Sequence, residues 1–564
     1  MTEERRFDIM NYLEKNKEMA DLLFPDAYKA PEYYELLYPK RKLPEGAKVT
    51  RFAPSPTGYV HMGSLYASLV SERLAHQSNG VFFLRVEDTD KKREVEGGVA
   101  NIVRALSRFG INFDEGVTDV DEEKGSYGPY KQSERMEIYK VFAKQLVEKG
   151  FAYPCFCSEE DLNKIRSQQE ENKLNIGYYG EYALHRNFTV EQVKEELSKE
   201  KPFVIRVKAP QKPDSRFVFK DLIKGDVEMP ENDQDMVLLK SDGLPTYHFA
   251  HVVDDHLMRT THVIRGDEWL PSAPLHIQLF SMFEWEKPYF AHISPIMKIE
   301  GNSKRKLSKR KDPEADVSFY HEQGYPSVSV IEYLVNLINS NFEDWRRENP
   351  KDPNTNFKIE LERMSVSGAM FDIVKLTDMS KDIIAYMSGE EVYNMSLEWA
   401  KEYDPELESL LSGDEQYAKN IFSIDRSGEK PRKDIAKWLD VKSYIFYFFD
   451  ELFAKDVENG YNFPETMPQE EVNRLISEYA KVYTHADTKD EWFGRVKEFC
   501  ETMGYSKNVK TFKKNPGVYK GHVGDVTGVI RVAVTNRRNT PDLYEIMQVM
   551  GEKKVMERFE KVMK

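Results

Sequence analysis

The sequence predicts an α/β fold in its first half and an all-helical second half, and three observations carry this. Val81-Phe-Phe-Leu-Arg-Val86 is a continuous apolar, β-prone run, as expected of a strand buried on both faces. Lys48 to Ala53 reads as a second strand, running into a loop rich in Pro and Gly. Beyond Pro326 helical periodicity dominates, with linker-like breaks at Asn349-Pro-Lys-Asp-Pro353 and Gly428-Glu-Lys-Pro431.

Taken in order, residues 1–48 hold one helix-like stretch, Ile9 to Leu23, and then a Tyr- and Pro-rich segment ending at Pro44; no role follows for them. Residues 49 to about 120 read as a first βαβ portion. Tyr66, Leu69, Val70 and Leu74 have the spacing of a helix with one buried face, up to the stop signal Asn79-Gly80. In the loop before it, Pro54 and Pro56 fix φ, while Gly58 and Gly63 let a ligand approach the main chain. That loop ends at a helix N-terminus, whose free N–H groups favour a phosphate, and His61 can add a donor. Glu87-Asp88-Thr89-Asp90 falls at the carboxyl end of the next strand, where open α/β sheets bind ligands.

From about residue 121 to 235 the chain changes character, with Cys155-Phe-Cys157, a polar helical stretch, and strands at Phe203 to Lys208 and Arg216 to Asp221. The sheet is expected to resume with Met236 to Leu239, followed by a turn at Asp242-Gly243, a helix through Tyr247, the strand His262 to Ile264 and a helix from Pro271. Between Lys298 and Lys311 lie seven cations (Lys298, Lys304, Arg305, Lys306, Lys309, Arg310, Lys311) and one acid, Glu300. Gly301, Asn302 and Ser303 give that loop freedom to move. Cations aimed at developing charge lower a barrier, so the loop suits a leaving group such as pyrophosphate. The two segments read as the halves of an ATP site.

These residues carry a family resemblance. His61-Met-Gly-Ser64 resembles the "HIGH" signature and Lys306-Leu-Ser-Lys-Arg310 the "KMSKS" signature of class I aminoacyl-tRNA synthetases. The longer strings RFAPSPTG at Arg51, LRVEDTD at Leu84, DGLPTYHFAHVVDDHLM at Asp242 and THVIRGDEWL at Thr261 resemble bacterial-type glutamyl-tRNA synthetases. The resemblance implies a Rossmann-like catalytic domain over residues 49–335. It also implies an insertion at about 121–235 for the tRNA acceptor end, a helical linker or stem-contact domain at 336–450, and a helical anticodon-binding domain at 451–564.

The same resemblance implies roles. His61 steadies phosphates through the transition state. Gly63 packs against adenine or ribose, Ser64 stands where the family's second histidine would be, and Lys306 and Lys309 meet the β,γ-phosphates. Pro54, Gly58, Trp269 and Ser308 complete the implied ATP site, with Mg²⁺ accompanying ATP. Specificity for glutamate calls for a fixed cation, and a guanidinium meets a carboxylate through two parallel hydrogen bonds. Arg51 and Arg265 are the candidates; the resemblance puts Arg51 on the side-chain carboxylate, Glu87 on the α-ammonium, and Ser55, Tyr247 and Arg265 in the rest of the pocket. Cys155-x-Cys157 resembles the first half of a zinc knuckle found in some members, which Tyr182 and His185 could complete. A later cysteine is missing, so zinc is not expected.

Composition agrees. With 40% hydrophobic and 31% charged residues, 564 residues suit a globular protein of several domains. No apolar run is long enough to span a bilayer, the N-terminal segment is too charged for a secretory signal, and three cysteines form no disulfide framework. A cytoplasmic, monomeric protein without a membrane partner is therefore expected. The net charge of −15 argues against a generally basic nucleic-acid binder, yet Gly504 to Asn539 holds eight Lys or Arg against one acid, with Tyr505, Phe512 and Tyr519 interleaved. The resemblance reads this patch, with Lys513, Lys514, Arg537 and Arg538, as a tRNA contact. The implied activity is ATP-dependent ligation of glutamate to its tRNA. Three alternatives stand beside it: an enzyme that also glutamylates glutamine tRNA, an HxGH-type nucleotidyltransferase, and a silent tRNA-binding paralogue. Ser64 and the long helical half argue against the second, and intact His61, Gly63, Lys306 and Lys309 against the third.

Overall fold

The computed structural model describes the chain except residues 1–2, 57–59, 91–94, 119–121, 211, 213–214, 427, 429–430, 516 and 564, and except the side chains of residues 3–11. Gly58, expected at the ATP site, lies outside the described residues. The chain divides into two compact units: residues 1–319 with 331–371, and residues 320–330 with 372–564.

In the first unit, helices α1 (Glu3–Leu23) and α2 (Pro31–Leu37) precede β1 (Val49–Phe52), α3 (Met62–His76), β2 (Val81–Leu84), α4 (Gly98–Arg108), β3 (Glu115–Val117), β4 (Glu123–Lys124) and α5 (Met136–Glu148). An excursion follows through β5 (Ala152–Cys155), α6 (Glu159–Glu171), α7 (Val190–Ser198), β6 (Val204–Val207), β7 (Arg216–Asp221), β8 (Gly225–Pro230) and β9 (Val237–Leu239). The chain then runs through α8 (Tyr247–Leu257), β10 (His262–Gly266), α9 (Ala273–Phe283), β11 (Tyr289–Ile293) and a hairpin of β12 (Met297–Glu300) and β13 (Ser303–Lys306).

β1 pairs in parallel with β2, from Val49 with Val81 to Phe52 with Leu84, and β2 pairs in parallel with β3. On the other side β10 pairs in parallel with β11, and β11 with β7. The two halves meet at β1 and β10, where Thr261 N donates to Val49 O at 3.0 Å and Val49 N to Thr261 Oγ1 at 2.8 Å. Strand order thus runs β3, β2, β1, β10, β11, β7, and the connections leave β1 in one direction and β10 in the other. Such a switch point opens a crevice at the carboxyl ends of its two central strands. Arg51 and Arg265 stand on those strands.

The turn into β2 depends on one glycine. A Cβ at Gly80 would lie 1.9 Å from Lys48 O, and Val81 N donates to that same carbonyl at 3.0 Å, so only a residue without a side chain lets β2 start alongside β1. The expected stripe of α3 is buried (Tyr66, Leu69, Val70, Leu74), but so are Ser68, Ser71, Glu72 and Arg73. Residues 337–357 cover the outer face: Tyr66 OH donates to Leu337 O, Arg73 Nη2 to Asn354 Oδ1 and Gln77 Nε2 to Phe357 O. The helix is here covered on both sides: Arg73 finds its partner in the second layer, while Ser71 turns its hydroxyl back to Ala67 O of the same helix.

Two strands pair otherwise than their sequence suggested. Val237–Leu239 does not extend the central sheet; it closes a small antiparallel sheet with β6 and β5. Arg216–Asp221 joins the central sheet through Phe290 and Asp221. Residues 1–48 also have a place. Ala20, Leu23, Phe24, Tyr34 and Tyr38 belong to the same core as Phe142, Leu146 and Val147 of α5. Arg41 donates to both oxygens of Glu115, at 2.7 and 2.9 Å, and lies 3.8 Å over the Tyr127 ring.

The second unit is helical. Its core gathers Trp399, Trp438, Trp492, Phe448, Phe453, Tyr479 and Phe559. Ser388 with Glu391 and Thr488 with Glu491 form capping boxes that fix where two of its helices start. Among the described residues no helix is long and apolar enough to cross a membrane.

Candidate active site

A cavity of about 1180 Å³ opens at the switch point. Arg51, Pro54, Ser55, His61, Gly63, Ser64, Glu87, Tyr247, Arg265, Trp269, Lys306 and Lys309 all line it, so the expected ATP and glutamate residues meet in one space. Ser308 is not among the lining residues; its backbone N–H donates to Asp312 Oδ2 at 2.9 Å.

His61 is the N-cap of α3, and its Nδ1 accepts the Ser64 N–H at 3.1 Å. The neutral ring must then carry its proton on Nε2. Enclosure first, and then the charges of Lys309 and Lys306, lower the pKa of His61 to about 4, so the ring is a neutral donor at physiological pH. A Cβ at Gly63 would stand 2.9 Å from His61 Cε1. In this structure the bare position makes room for the imidazole itself.

The floor of the crevice is ionic. Asp255 Oδ1 accepts from Arg85 Nη1 at 2.7 Å and from Arg51 Nε at 3.2 Å. Asp254 accepts from Arg135 Nε at 2.7 Å, Tyr139 OH at 2.8 Å and Gln132 Nε2 at 2.9 Å. Glu87 Oε1 accepts from Arg85 Nη2 at 3.1 Å, and burial pushes the Glu87 carboxyl upward against the pull of Arg85 and Arg51. Three arginines (Arg51, Arg85, Arg135) therefore meet three acids (Glu87, Asp254, Asp255), and the set is neutral. Arg265 stands outside that balance: its Nε donates to His292 Nε2 and its Nη1 to His276 Nδ1, both at 3.0 Å. Its buried Nη2 has no hydrogen-bond partner among the described residues. An arginine without a carboxylate of its own, beside Arg51, makes this part of the cavity fit an anion. Tyr247 stacks on Trp269 with ring centres 4.3 Å apart.

Sequence reasoning gave no role to Arg85, Arg135, Asp254 and Asp255. The available signal was two adjacent acids inside an apolar helical run: Val252, Val253 and Leu257 are fully buried, and Asp254 and Asp255 are buried with them. Acids there require partners.

In the small domain, Cys155, Cys157 and His185 bring their ligand atoms within 4.8 Å of one another. The tyrosine that joins them is Tyr178, not Tyr182: its hydroxyl lies 3.3 Å from each sulfur and 3.4 Å from His185 Nδ1. Tyr182 packs at the edge of the neighbouring apolar cluster. The spacing to His185 favoured the nearer tyrosine, but the 3-10 turn at Gly180–Tyr182 carries it past the thiols.

In the second unit, Lys513 and Lys514 end the exposed helix Val509–Lys514. Together with Lys510 they have no ion-pair partner among the described residues. Arg537 is held by both oxygens of Asp456, at 2.9 and 3.0 Å, and lies 4.1 Å over Phe446. Arg538 donates to Asn462 O and Phe463 O. Tyr505 is not available for stacking on a base: it is buried and donates to Glu471 Oε1 at 3.0 Å.

Residues 48–378 match the family described as tRNA synthetases class I (E and Q), catalytic domain, and residues 432–563 match the anticodon binding domain. A glutamate–tRNA ligase of Clostridium perfringens is 54% identical over 96% of this chain and 98% of its own, and one of Clostridium beijerinckii is 52% identical over 97% and 99%. Among solved structures, a glutamate tRNA ligase from Elizabethkingia meningosepticum in complex with its amino acid is similar with a TM-score of 0.71 at 27% identity, covering 92% of this chain and 99% of that one. Two domain matches in sequence order, and relatives more than half identical from end to end, leave one conclusion: the chain belongs to the glutamate–tRNA ligases, a family of class I aminoacyl-tRNA synthetases.

Proposed function

We propose that this chain joins L-glutamate to the 3′ end of glutamate tRNA in two steps, in the cytoplasm. The observation that carries this reading is the single cavity lined both by the uncompensated Arg265 beside Arg51 and by His61, Lys306 and Lys309. Glutamate brings two carboxylates and one ammonium, ATP brings a triphosphate, and each meets the opposite charge. In the first step a glutamate α-carboxylate oxygen attacks the α-phosphorus of ATP in line, the bond to the β-phosphate oxygen breaks, and pyrophosphate leaves. In the second a ribose hydroxyl of the tRNA terminus attacks the anhydride carbonyl, its proton is lost, and AMP departs.

The carboxylate is already a nucleophile, so positioning and charge stabilisation supply most of the rate. His61 donates through Nε2 to a phosphate oxygen, with no proton to lose. Lys306 and Lys309 meet the charge that grows on the leaving pyrophosphate, and Mg²⁺ bound with ATP would supply charge neutralisation for part of the rest. Arg51 takes the side-chain carboxylate; two of its five donors are spent on Asp255 and Ile264 O. Arg265 and Tyr247 close the rest of the pocket, Ser55 lines its rim, and Glu87 receives the ammonium.

The donor set of Cys155, Cys157, Tyr178 and His185 fits zinc better than the sequence suggested. Ligand atoms about 2.0–2.3 Å from a tetrahedral ion lie about 3.3–3.8 Å apart. Pairs among these atoms lie 3.3 and 3.4 Å apart, and the ligand atoms of Cys155, Cys157 and His185 all lie within 4.8 Å of one another. A zinc ion there would staple β5 to the turn at Tyr178 and would take no part in the chemistry. On the second unit, Lys513 and Lys514 are proposed to touch tRNA phosphates, with Arg537 and Arg538 framing the same surface.

Four measurements check these readings. Purified protein with ATP, labelled glutamate and glutamate tRNA should yield charged tRNA; no charging overturns the activity, and a parallel reaction with glutamine tRNA reads tRNA choice. Arg51→Gln should cost glutamate a charge-assisted pair worth about 1.5–3 kcal/mol. The ratio of kcat/KM for glutamate over glutamine should then fall by about tenfold to a few hundredfold. If activity falls and the ratio holds, the side-chain carboxylate belongs to Arg265. Replacing Lys513 and Lys514 together by Ala should lower the slope of log affinity for tRNA against log salt by about one to two; an unchanged slope removes them from the interface. Metal analysis of chelator-free protein should give close to one zinc per chain, lost in Cys157→Ser, and metal-free wild type would return the cluster to core packing.

A further inference from the structure

Of the seven cations between Lys298 and Lys311, Lys306 and Lys309 line the cavity and the other five do not. One carboxylate holds two of those five, Lys298 and Arg305. Asp312 Oδ1 accepts from Arg305 Nη2 at 2.8 Å and Lys298 Nζ at 3.2 Å; Oδ2 accepts from Arg305 Nη1 at 2.6 Å and from the Ser308 N–H at 2.9 Å. A carboxylate offers about four lone-pair positions, so its capacity is filled. The four donors come from β12, from β13 and from the middle of the Lys306–Arg310 signature, and the side chain is only 3% exposed. Lys298 is held a second time by Glu314, and Arg305 a second time by Glu300. The backbone closes the same turn: Asp312 N donates to Ser308 O at 2.8 Å.

We propose that Asp312 is a positioning residue for adenylate formation: it binds Arg305 and Lys298 away from the cavity and fixes Ser308 by its N–H, so that Lys306 and Lys309, on either side of Ser308, face the phosphates. The proposal rests on the adenylation reading above. Its logic is electrostatic as well as geometric. Were Arg305 and Lys298 loose, either could compete for the triphosphate in poses that do not align the α-phosphate for attack. Bidentate pairing holds the guanidinium in one orientation, which a lysine in its place would not reproduce. The Ser308 N–H is the direct link from this knot to the signature. Both flanking lysines are long side chains, and the backbone between them decides where their reach begins.

The test uses the full-length protein, with wild type, Asp312→Asn, Asp312→Glu and Arg305→Lys compared in charging assays with saturating tRNA and in limited trypsin digestion read by mass spectrometry. Asp312→Asn points amide N–H groups at cationic donors, so kcat should fall by about ten- to a hundredfold, as expected of a displacement of about 1 Å at a reacting group. KM for glutamate should stay within about twofold, because the amino-acid pocket is untouched. Asp312→Glu should recover part of kcat, and Arg305→Lys should reproduce the loss in weaker form while preserving charge. Trypsin should cut after Lys304 to Lys311 several-fold faster in Asp312→Asn and Arg305→Lys than in wild type, and ATP should protect less. Wild-type kcat in Asp312→Asn, or unchanged cutting in both variants, overturns the proposal, as does a rise in glutamate KM equal to the loss in kcat. If Asp312→Asn does not fold, Arg305→Lys and Asp312→Glu carry the same two readouts. A wild type that charges no tRNA would defeat the adenylation reading, whereas an active wild type with an indifferent Asp312→Asn defeats this inference alone.

Discussion

Asp254 and Asp255, adjacent on α8 and both buried, set the terms for the crevice. An isolated carboxylate in such a place costs several kcal/mol, and two in succession are tolerated only when cations and hydrogen bonds answer them; Asp255 Oδ2 has no hydrogen-bond partner among the described residues, with His251 Nδ1 3.3 Å away. Arg51 on β1, Arg85 after β2 and Arg135 before α5 supply the charge, and Tyr139, Gln132 and Thr260 supply further donors. The network thereby ties two strands and two helices at the switch point. It extends to residues 1–48 as well, because the Arg135 guanidinium lies 5.5 Å from the Tyr38 ring, and Tyr38 OH donates to Gly128 O. Such a knot adds little net stability over an apolar core, but removing one member strands a buried charge, so it enforces one arrangement.

Neutrality of that knot has a consequence for binding. Arg51 still offers a substrate carboxylate N–H donors although Asp255 answers its charge, and the uncompensated charge beside it comes from a cation with no carboxylate hydrogen-bonded to it. Arg265 is in that state, since histidines and not carboxylates receive its Nε and Nη1. The nearest acid on that side, Asp221, reaches it only through His292, which donates from Nδ1 at 2.7 Å. Desolvation and the Arg51 charge both disfavour the protonated form of Arg265, offset in part by the charge of Asp255. Arginine still remains charged at any working pH. The pocket thus stores an unfavourable positive charge that a carboxylate relieves, and a neutral isostere does not.

Local strings made the site legible in the sequence, and pairing at a distance hid the rest. His61, Gly63, Lys306 and Lys309 sit in short motifs whose chemistry can be read from residue type and order, and the structure gathers them around one cavity. The stripe of α3 was visible from its period; the burial of Arg73 was not, because its partner, Asn354, arrives from residues 337–357, and Ser71 is buried with its hydroxyl turned back to Ala67 O of its own helix. Residues 1–48 have no motif, and their place follows from an ion pair, Arg41 with Glu115, that no spacing rule announces. Tyr178 displaced Tyr182 beside the thiols for the same reason: a turn, and not proximity in sequence, decides which hydroxyl arrives. Strand partners were the least legible. Val237–Leu239 and Arg216–Asp221 are equally β-prone, yet one closes the small sheet and the other joins the large one.

Counting cations along a sequence therefore measures something other than available charge. With a net charge of −15 there are more acids than bases, and many basic side chains find an acid nearby. In the signature loop Asp312 and Glu314 engage Lys298 and Arg305, and Glu300 engages Arg305 and lies 3.8 Å from Lys311. In the second unit the run from Gly504 to Asn539 is thinned in the same way: Lys507 meets Glu501, Lys520 meets Glu471, Arg537 meets Asp456, and Arg531 turns inward to Thr540 and Pro541 carbonyls. What is left there is a short row, Lys510, Lys513 and Lys514, on one exposed helix. On that helix, acids placed by the fold have thinned a surplus of similar side chains to the few whose charge remains to meet a phosphate, whereas in the signature loop Lys306 itself lies 3.9 Å from Glu268 and is set apart by its place on the cavity. Because the selection is made by pairing, it is sensitive to single carboxylates that never touch substrate.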